Sequence, residues 1–253
     1  MKTIEFGKQN NDVIMLLHGG GLSWWNYKAE AELLKDRYHV VLPILDGHAG
    51  SDNDFISIEK NASRLISFID KEFGGSVLLI GGLSLGAQIL VEMLTQQNTI
   101  CQNAVIESAS VIPSKMTNAL IKPMFSLSYG LVKMKSFSQM QFDCLHIRKD
   151  LFEDYYQDTS QISKENMIAF LEANTSYEIK PGLQDTHAKV HVIVGEKEQK
   201  KMICSAEQLH KALPGSVLEI KKGLYHGEYS INHPEEYTKE LLDMICYILN
   251  KSA

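Results

Sequence analysis

Two hydrophobic patterns alternate along the chain. Short, mainly apolar runs stand at residues 13–17, 39–42, 77–80, 104–106, 190–194 and 217–220. Runs of this length, without polar alternation, read as strands covered on both faces. Between them the apolar residues recur at helical spacing. Residues 27–35 read as a helix, and residues 58–73 read as another with a stripe of Leu65, Ile66, Ile69 and Phe73. After Ser84 the period switches from strand to helix through Leu85, Ile89, Leu90, Met93 and Leu94. A closing helix starts at Pro234, a favoured first helical residue, and carries Tyr237, Leu241, Ile245 and Ile248. Strand–helix alternation of this kind predicts an α/β fold with a mostly parallel central sheet and helices on both faces.

The alternation breaks from residue 112 to residue 187, which is far longer than an ordinary connection. The interruption has helical material of its own. Residues 120–134 are rich in Met, Phe and Leu, residues 151–156 are aromatic, and Ser163 can cap a helix running through Met167, Phe170 and Leu171. The expected organisation is a core built from 1–111 and 188–253, with 112–187 inserted as a helical cap before the last strands. No internal repeat or low-complexity tract is present.

A chain of 253 residues can bury one full-sized core. The net charge of −6 and the lack of a dense Lys/Arg run argue against nucleic acid and against membranes as partners. The most apolar stretch, 77–94, contains Ser84, Gln88 and Glu92 and is too polar to span a bilayer. Cys101, Cys144, Cys204 and Cys246 are far apart and read as small buried hydrophobes rather than a disulfide framework. The start, Met1-Lys2-Thr3-Ile4-Glu5, lacks the apolar region of a secretory signal, so a cytoplasmic location is expected.

The chemistry centres on Gly82-Leu83-Ser84-Leu85-Gly86, a G-x-S-x-G sequence that directly follows an apolar strand and opens an amphipathic helix. A serine on such a sharp turn projects its Oγ above the sheet, and the flanking glycines let strand and helix approach closely. His18-Gly19-Gly20-Gly21 follows the first strong strand. Its flexible backbone can aim an N–H at a developing oxyanion while the Leu85 N–H does so from the helix start. Gly20 is the expected loop donor and Gly21 the alternative; His18 is read as bracing the loop.

These two motifs, together with Asp46-Gly47-His48-Ala49-Gly50-Ser51 and Tyr225-His226-Gly227, occur in the order seen in the α/β-hydrolase superfamily. The chain resembles a small capped carboxylesterase or monoglyceride-lipase relative along nearly its whole length outside the cap. The resemblance implies a nucleophile, acid, histidine order, with the last two on loops after the final strands. His226, in the glycine-flanked loop after 217–220, is then the general base, and His48 belongs to a mainly structural loop. The family's Gly-x-x-Asp acid loop is resembled by Val194-Gly195-Glu196-Lys197-Glu198, with Glu198 where aspartate is usual. Glu107, which ends the 104–106 strand, is the alternative acid, because some relatives supply it from that position. Glu196 is read as a surface charge.

A Ser84–His226–Glu198 triad implies hydrolysis of a carboxylic ester through an acyl-enzyme, without a cofactor. C–C, thioester or amide hydrolysis and a ligand-binding role that retains the site are the rival readings. The sequence holds no H-E-x-x-H and no dinucleotide fingerprint, so no metal is expected. The substrate is expected to be a small ester with an apolar or aromatic acyl part. Trp24, Met124 and Phe125 are the foremost candidates to line its pocket, with Trp25, Met116, Tyr129, Met134 and Phe137 as further ones.

Overall fold

The computed structural model describes residues 1–249; the last four residues of the expected core, and the side chain of Ile248, lie outside what is described. The chain enters through β1 (Thr3–Phe6) and β2 (Val13–Leu17), and continues through α1 (Lys28–Leu34), β3 (His39–Pro43), α2 (Ile58–Phe73), β4 (Val77–Leu83), α3 (Leu85–Gln96) and β5 (Cys101–Glu107). Four helices follow: α4 (Lys115–Val132), α5 (Lys135–Asp143), α6 (Phe152–Thr159) and α7 (Lys164–Ser176). The sheet then resumes with β6 (Lys189–Gly195), α8 (Lys200–Ala212), β7 (Val217–Lys221), α9 (Glu228–Asn232) and α10 (Pro234–Leu249).

The seven strands are ordered β1-β3-β2-β4-β5-β6-β7, parallel except for β1, which pairs antiparallel with β3. Successive side chains divide between two apolar layers. Met15, Leu17, Ile80, Ala104, Ile106 and Val192 point to one, with Leu65 and Ile69 of α2 and Ile89 of α3. Ile14, Leu16, Leu79, Val105 and Ile193 point to the other, with Leu34 of α1 and Leu241 of α10. Coverage of both faces explains the near-continuous apolar sequences of the central strands β2 and β4, while the edge strands β1 and β7 are mixed and partly exposed.

Four elements were not legible in the hydrophobic pattern; one is α5, a polar nine-residue helix with only Ser138 and Phe142 buried. β1 is a four-residue edge strand, too short and too mixed to show a period. α8 is amphipathic around Ala206 and Leu209 but opens with two lysines, and α9 is a five-residue turn of helix. The cysteine expectation holds only for Cys101, which is buried; Cys144 and Cys246 are exposed and Cys204 is half-buried. Cys204 and Cys246 lie within the amphipathic helices α8 and α10 and Cys144 directly follows α5, so the rotation of each helix rather than hydrophobicity sets their exposure.

Local signals set the helix ends. Ser57 caps α2 by accepting from the Lys60 N–H at 3.2 Å, and Gly74 ends it in the left-handed region at φ 70°. Ser163 caps α7 in the expected way, accepting from the Asn166 N–H at 3.1 Å. At the sheet's far edge, Lys221 donates to Glu240 at 2.6 Å and lies 2.8 Å from Glu219, while Tyr229 donates to Glu240 at 2.6 Å and His191 Nδ1 sits 2.8 Å from it. His191, Glu219 and Glu240 are the one metal-like grouping among the described residues. The lysine held between the two carboxylates makes it an ion-pair clasp between α10 and the sheet.

Because α7 carries Phe170 against the loop after β2, its cap bears on the site. Ser163→Ala should lower the unfolding free energy by about 1 kcal/mol, seen in urea melts as a lower midpoint with an unchanged slope. An unchanged midpoint would remove the cap from the account.

Candidate active site

β4 stops at Leu83 and α3 starts at Leu85, leaving Ser84 alone in the turn with φ 53° and ψ −110°, a conformation L-residues rarely adopt. Two glycines make the turn possible. A Cβ on Gly82 would lie 2.6 Å from the Gly86 carbonyl oxygen, and one on Gly86 would collide with the backbone of Leu17 and His18. The Ser84 amide is held by the Glu107 carbonyl at 2.9 Å, which ties the turn to the end of β5.

The Oγ that this turn exposes lies 3.0 Å from His226 Nε2. His226 sits in the loop between β7 and α9, followed by Gly227 at φ 68°, whose missing Cβ would press within 3.1 Å of Leu83. On its other side, His226 Nδ1 lies 2.7 Å from Glu198 Oε2. A carboxylate there places the proton on Nδ1 and leaves Nε2 as the acceptor facing the serine. The imidazole is 45% exposed while the Glu198 side chain is fully buried.

Glu198 is well supplied with donors. Its Oε1 accepts from Ser108 Oγ at 2.6 Å and from the Gly195 N–H at 2.8 Å. Burial raises its pKa, but the bonds from His226, Ser108 and Gly195 outweigh that and hold it below the ordinary value. Glu107 is in the opposite condition. It is completely buried, accepts only the Ser230 N–H at 3.2 Å on one oxygen, and has no partner on the other. Burial, with the Glu198 charge nearby, pushes it up to about 7. The structure thus brings Glu198 to His226 and directs Glu107 toward α9. Glu196 is at the surface, where its Oε2 accepts the Gly223 N–H at 2.8 Å and braces the histidine loop.

The loop after β2 is fixed donor by donor. The Gly19 N–H is taken by Asn26 Oδ1 at 3.2 Å, the Gly21 N–H by His48 Nε2 at 3.0 Å, and the Leu22 N–H by the Gly19 carbonyl at 3.1 Å. Only the Gly20 N–H has no acceptor among the described residues of this turn, and it borders the same pocket as Ser84. His18 and His48 are both buried. Burial drives His18 well below its ordinary value and His48 down to about 4, so both are neutral. His18 Nε2 accepts the Leu45 N–H while its Nδ1 meets the Gly19 carbonyl, and His48 stacks on Phe170 of α7 with ring centroids 4.9 Å apart.

A cavity of about 120 Å³ opens at Ser84 and His226. Its wall is apolar, made by Leu22, Leu83, Leu145, Ile147, Tyr155 and Ile231. A family model for the alpha/beta hydrolase family matches residues 14–240. The chain belongs to the alpha/beta hydrolase family. Among solved structures, an enol-lactonase from Burkholderia xenovorans is 15% identical, with 97% of this chain and 96% of that one covered and a TM-score of 0.81. A thermophilic esterase from Thermogutta terrifontis is 15% identical over 98% of this chain and 93% of its own, with a TM-score of 0.80. MenH from S. aureus is 17% identical over 97% of both chains, with a TM-score of 0.75. At such identities the likeness establishes the fold. No curated protein sequence matches the chain.

The pocket of this α/β-hydrolase does not contain the side chains the sequence put forward for it. Met124 lies on the solvent face of α4, while Phe125 and Trp24 pack half-buried against the two core layers. Aromatic and Met content marks apolar surface without saying which way it points. Trp25 donates to Asp158 at 2.9 Å and pins α6 to the loop after β2. Tyr129 donates to the Ile162 carbonyl and Phe137 packs on the core, while Met116 and Met134 are exposed. The residues that do line the site, Leu145, Ile147, Tyr155 and Ile231, carry no local signature. Ser108 and Asn26 were also missed; Ser108 has φ 55°, and its place directly after β5 beside Glu107 was the available hint.

Glu107 has a measurable signature. Between its ordinary value of 4.5 and about 7 the folded protein keeps a proton that the unfolded chain releases, so its contribution to stability is lost as pH rises through that window. Glu107→Gln should therefore lose less unfolding temperature than wild type between about pH 5 and about pH 8, measured by calorimetry. Parallel pH profiles would place Glu107 at an ordinary pKa.

Proposed function

We propose that this hydrolase cleaves carboxylic esters through a Ser84 acyl-enzyme, with His226 as general base and Glu198 as the orienting acid. The observation that carries the reading is the unbroken chain from buried carboxylate to imidazole to strained serine, at 2.7 and 3.0 Å. Ser84 Oγ attacks the ester carbonyl carbon and its proton passes to His226 Nε2. The carbonyl oxygen becomes an oxyanion facing the amides of Gly20 and Leu85, the first free and the second at the start of α3. Collapse expels the alcohol, which takes the proton from His226, and a water activated by the same imidazole releases the acid. The half-exposed imidazole leaves that water a route in.

The residues from 112 to 187 act as a cap in this reading, since Leu145, Ile147 and Tyr155 close the pocket over Ser84. Its volume argues for a small acyl group. An apolar cavity of about 150 Å³ is filled by benzene, so about 120 Å³ suits a compact acyl chain of a few carbons.

Intact-mass labelling with a fluorophosphonate should give one adduct on wild type and none on Ser84→Ala. No adduct on folded wild type would remove the nucleophile. Glu198→Gln should cut kcat on p-nitrophenyl butyrate by roughly ten-thousand-fold through loss of the correct imidazole tautomer, whereas Glu107→Gln should stay within about tenfold of wild type. The reverse order would move the acid to Glu107. Butyrate should be hydrolysed faster than decanoate, and equal rates would discard the size argument.

A further inference from the structure

We infer that His146 and Tyr225 are positioning residues for the His226 imidazole, whose stacked rings fasten the cap wall of the pocket to the histidine loop so that wall and general base are held as one unit. The inference rests on the acyl-enzyme reading for what is being positioned. Three non-glycine residues among those described have a positive φ: Ser84 at 53°, Ser108 at 55° and His146 at 57°. The first two belong to the candidate triad, as its serine and as the donor to Glu198. The third stands apart in sequence, between α5 and α6, and a conformation of this kind persists only where its surroundings hold it. The surroundings of His146 are the histidine loop and the helix that follows it. Its ring lies on that of Tyr225, with centroids 3.9 Å apart and planes 15° from parallel, and Tyr225 directly precedes His226. Lys197 Nζ, from the residue before Glu198, lies 4.9 Å from the centroid of the same tyrosine ring. The backbone is fastened too. Asn232, at the end of α9, donates to the His146 carbonyl at 2.8 Å and accepts the Arg148 N–H at 2.9 Å. A chance meeting of two surface rings would not bring with it a left-handed backbone and two bonds to one asparagine.

The residues on either side of His146 show what the fastening does. Leu145 and Ile147 both line the pocket that opens at Ser84, so the segment that gives its central ring to the loop gives its flanking side chains to the pocket wall. On the core side the loop is held through its backbone: the Leu224 carbonyl accepts the Lys197 N–H at 2.9 Å, Glu228 accepts the Tyr225 N–H at 2.8 Å and Glu196 accepts the Gly223 N–H at 2.8 Å. Gly223 and Gly227 flank His226 at φ 77° and 68°, and the imidazole is 45% exposed, so the loop has hinges and an open side. A tyrosine ring anchored in the cap restricts rocking about those hinges. An imidazole that must take a proton from Ser84 and return it to the leaving alcohol loses rate when it is displaced by a fraction of a hydrogen-bond length. Wall and base therefore share one attachment, and loosening it relaxes acyl-size selection and proton transfer together.

The test uses two readouts on folded variants. Tyr225→Ala and His146→Asn each remove the stack, the second while keeping a residue type that accepts a left-handed backbone; Tyr225→Phe keeps the stack. Hydrogen exchange followed by mass spectrometry needs no turnover, and either deletion should speed exchange about fivefold in segments 145–148 and 223–228 together, with Tyr225→Phe at the wild-type rate. On p-nitrophenyl butyrate each deletion should lower kcat about tenfold and narrow the preference for butyrate over decanoate, while Tyr225→Phe retains both. The Tyr225→Ala, His146→Asn double variant should be no slower than the slower single one, as one shared interaction requires. Faster exchange confined to the mutated segment, additive losses in the double variant, or an unchanged kcat and acyl preference in both single variants overturns the inference. A wild type that hydrolyses no ester overturns the acyl-enzyme reading instead, and the exchange arm alone then decides whether cap and loop are fastened.

Discussion

The backbone turn at Ser84 constrains everything placed around it. A residue at φ 53° between a strand and a helix persists only where the surroundings over-determine it. Here β4 lies between β2 and β5, the Ser84 amide is held by Glu107, and Gly86 is pressed against the backbone after β2. The same close packing puts the glycine loop on one side of the serine and the ends of β5 and β6 on the other. Strain at one residue thus goes with an exposed hydroxyl whose neighbours on both sides are set by the sheet.

Electrostatics sorts the groups that this packing gathers. Two glutamates lie behind the imidazole, both out of water, and they differ in donor supply. Glu198 receives bonds from His226, Ser108 and the Gly195 amide, so it keeps its charge when buried. Glu107 is fully buried with one amide bond, and burial pushes its pKa up to about 7. The same logic leaves His18 and His48 neutral, which suits them to fix the glycine loop by accepting amide protons. With Asn26 and His48 taking the flanking amides, one N–H of the loop stays unspent.

The helices between β5 and β6 serve the site and the surface at once. Leu145, Ile147 and Tyr155 close the pocket wall, and Phe170 stacks on His48 under the loop. α4 turns one apolar face inward and leaves another in water. Met and Leu in such a segment therefore divide among core, pocket and surface according to how each helix is rotated, which composition does not record.

The sequence by itself determined the layered parallel sheet, the elbow and the glycine loop, and its resemblance to a family pointed His226 at Ser84. The first three rest on local regularities: apolar runs the length of a strand, a period change at Ser84, and glycines where the chain must pass close to itself. Tertiary structure decided which carboxylate meets the imidazole, because Glu107 ends β5 and Glu198 lies in the loop just past the neighbouring β6, and the direction of each side chain separates them. It also decided that Ser108 supports a residue 90 positions away, that Gly20 rather than Gly21 keeps a free amide, and that the pocket wall comes from Leu145, Ile147 and Tyr155 rather than Trp24, Met124 and Phe125. Side-chain direction and donor competition are set by contacts between distant segments, and no pattern along the chain encodes them.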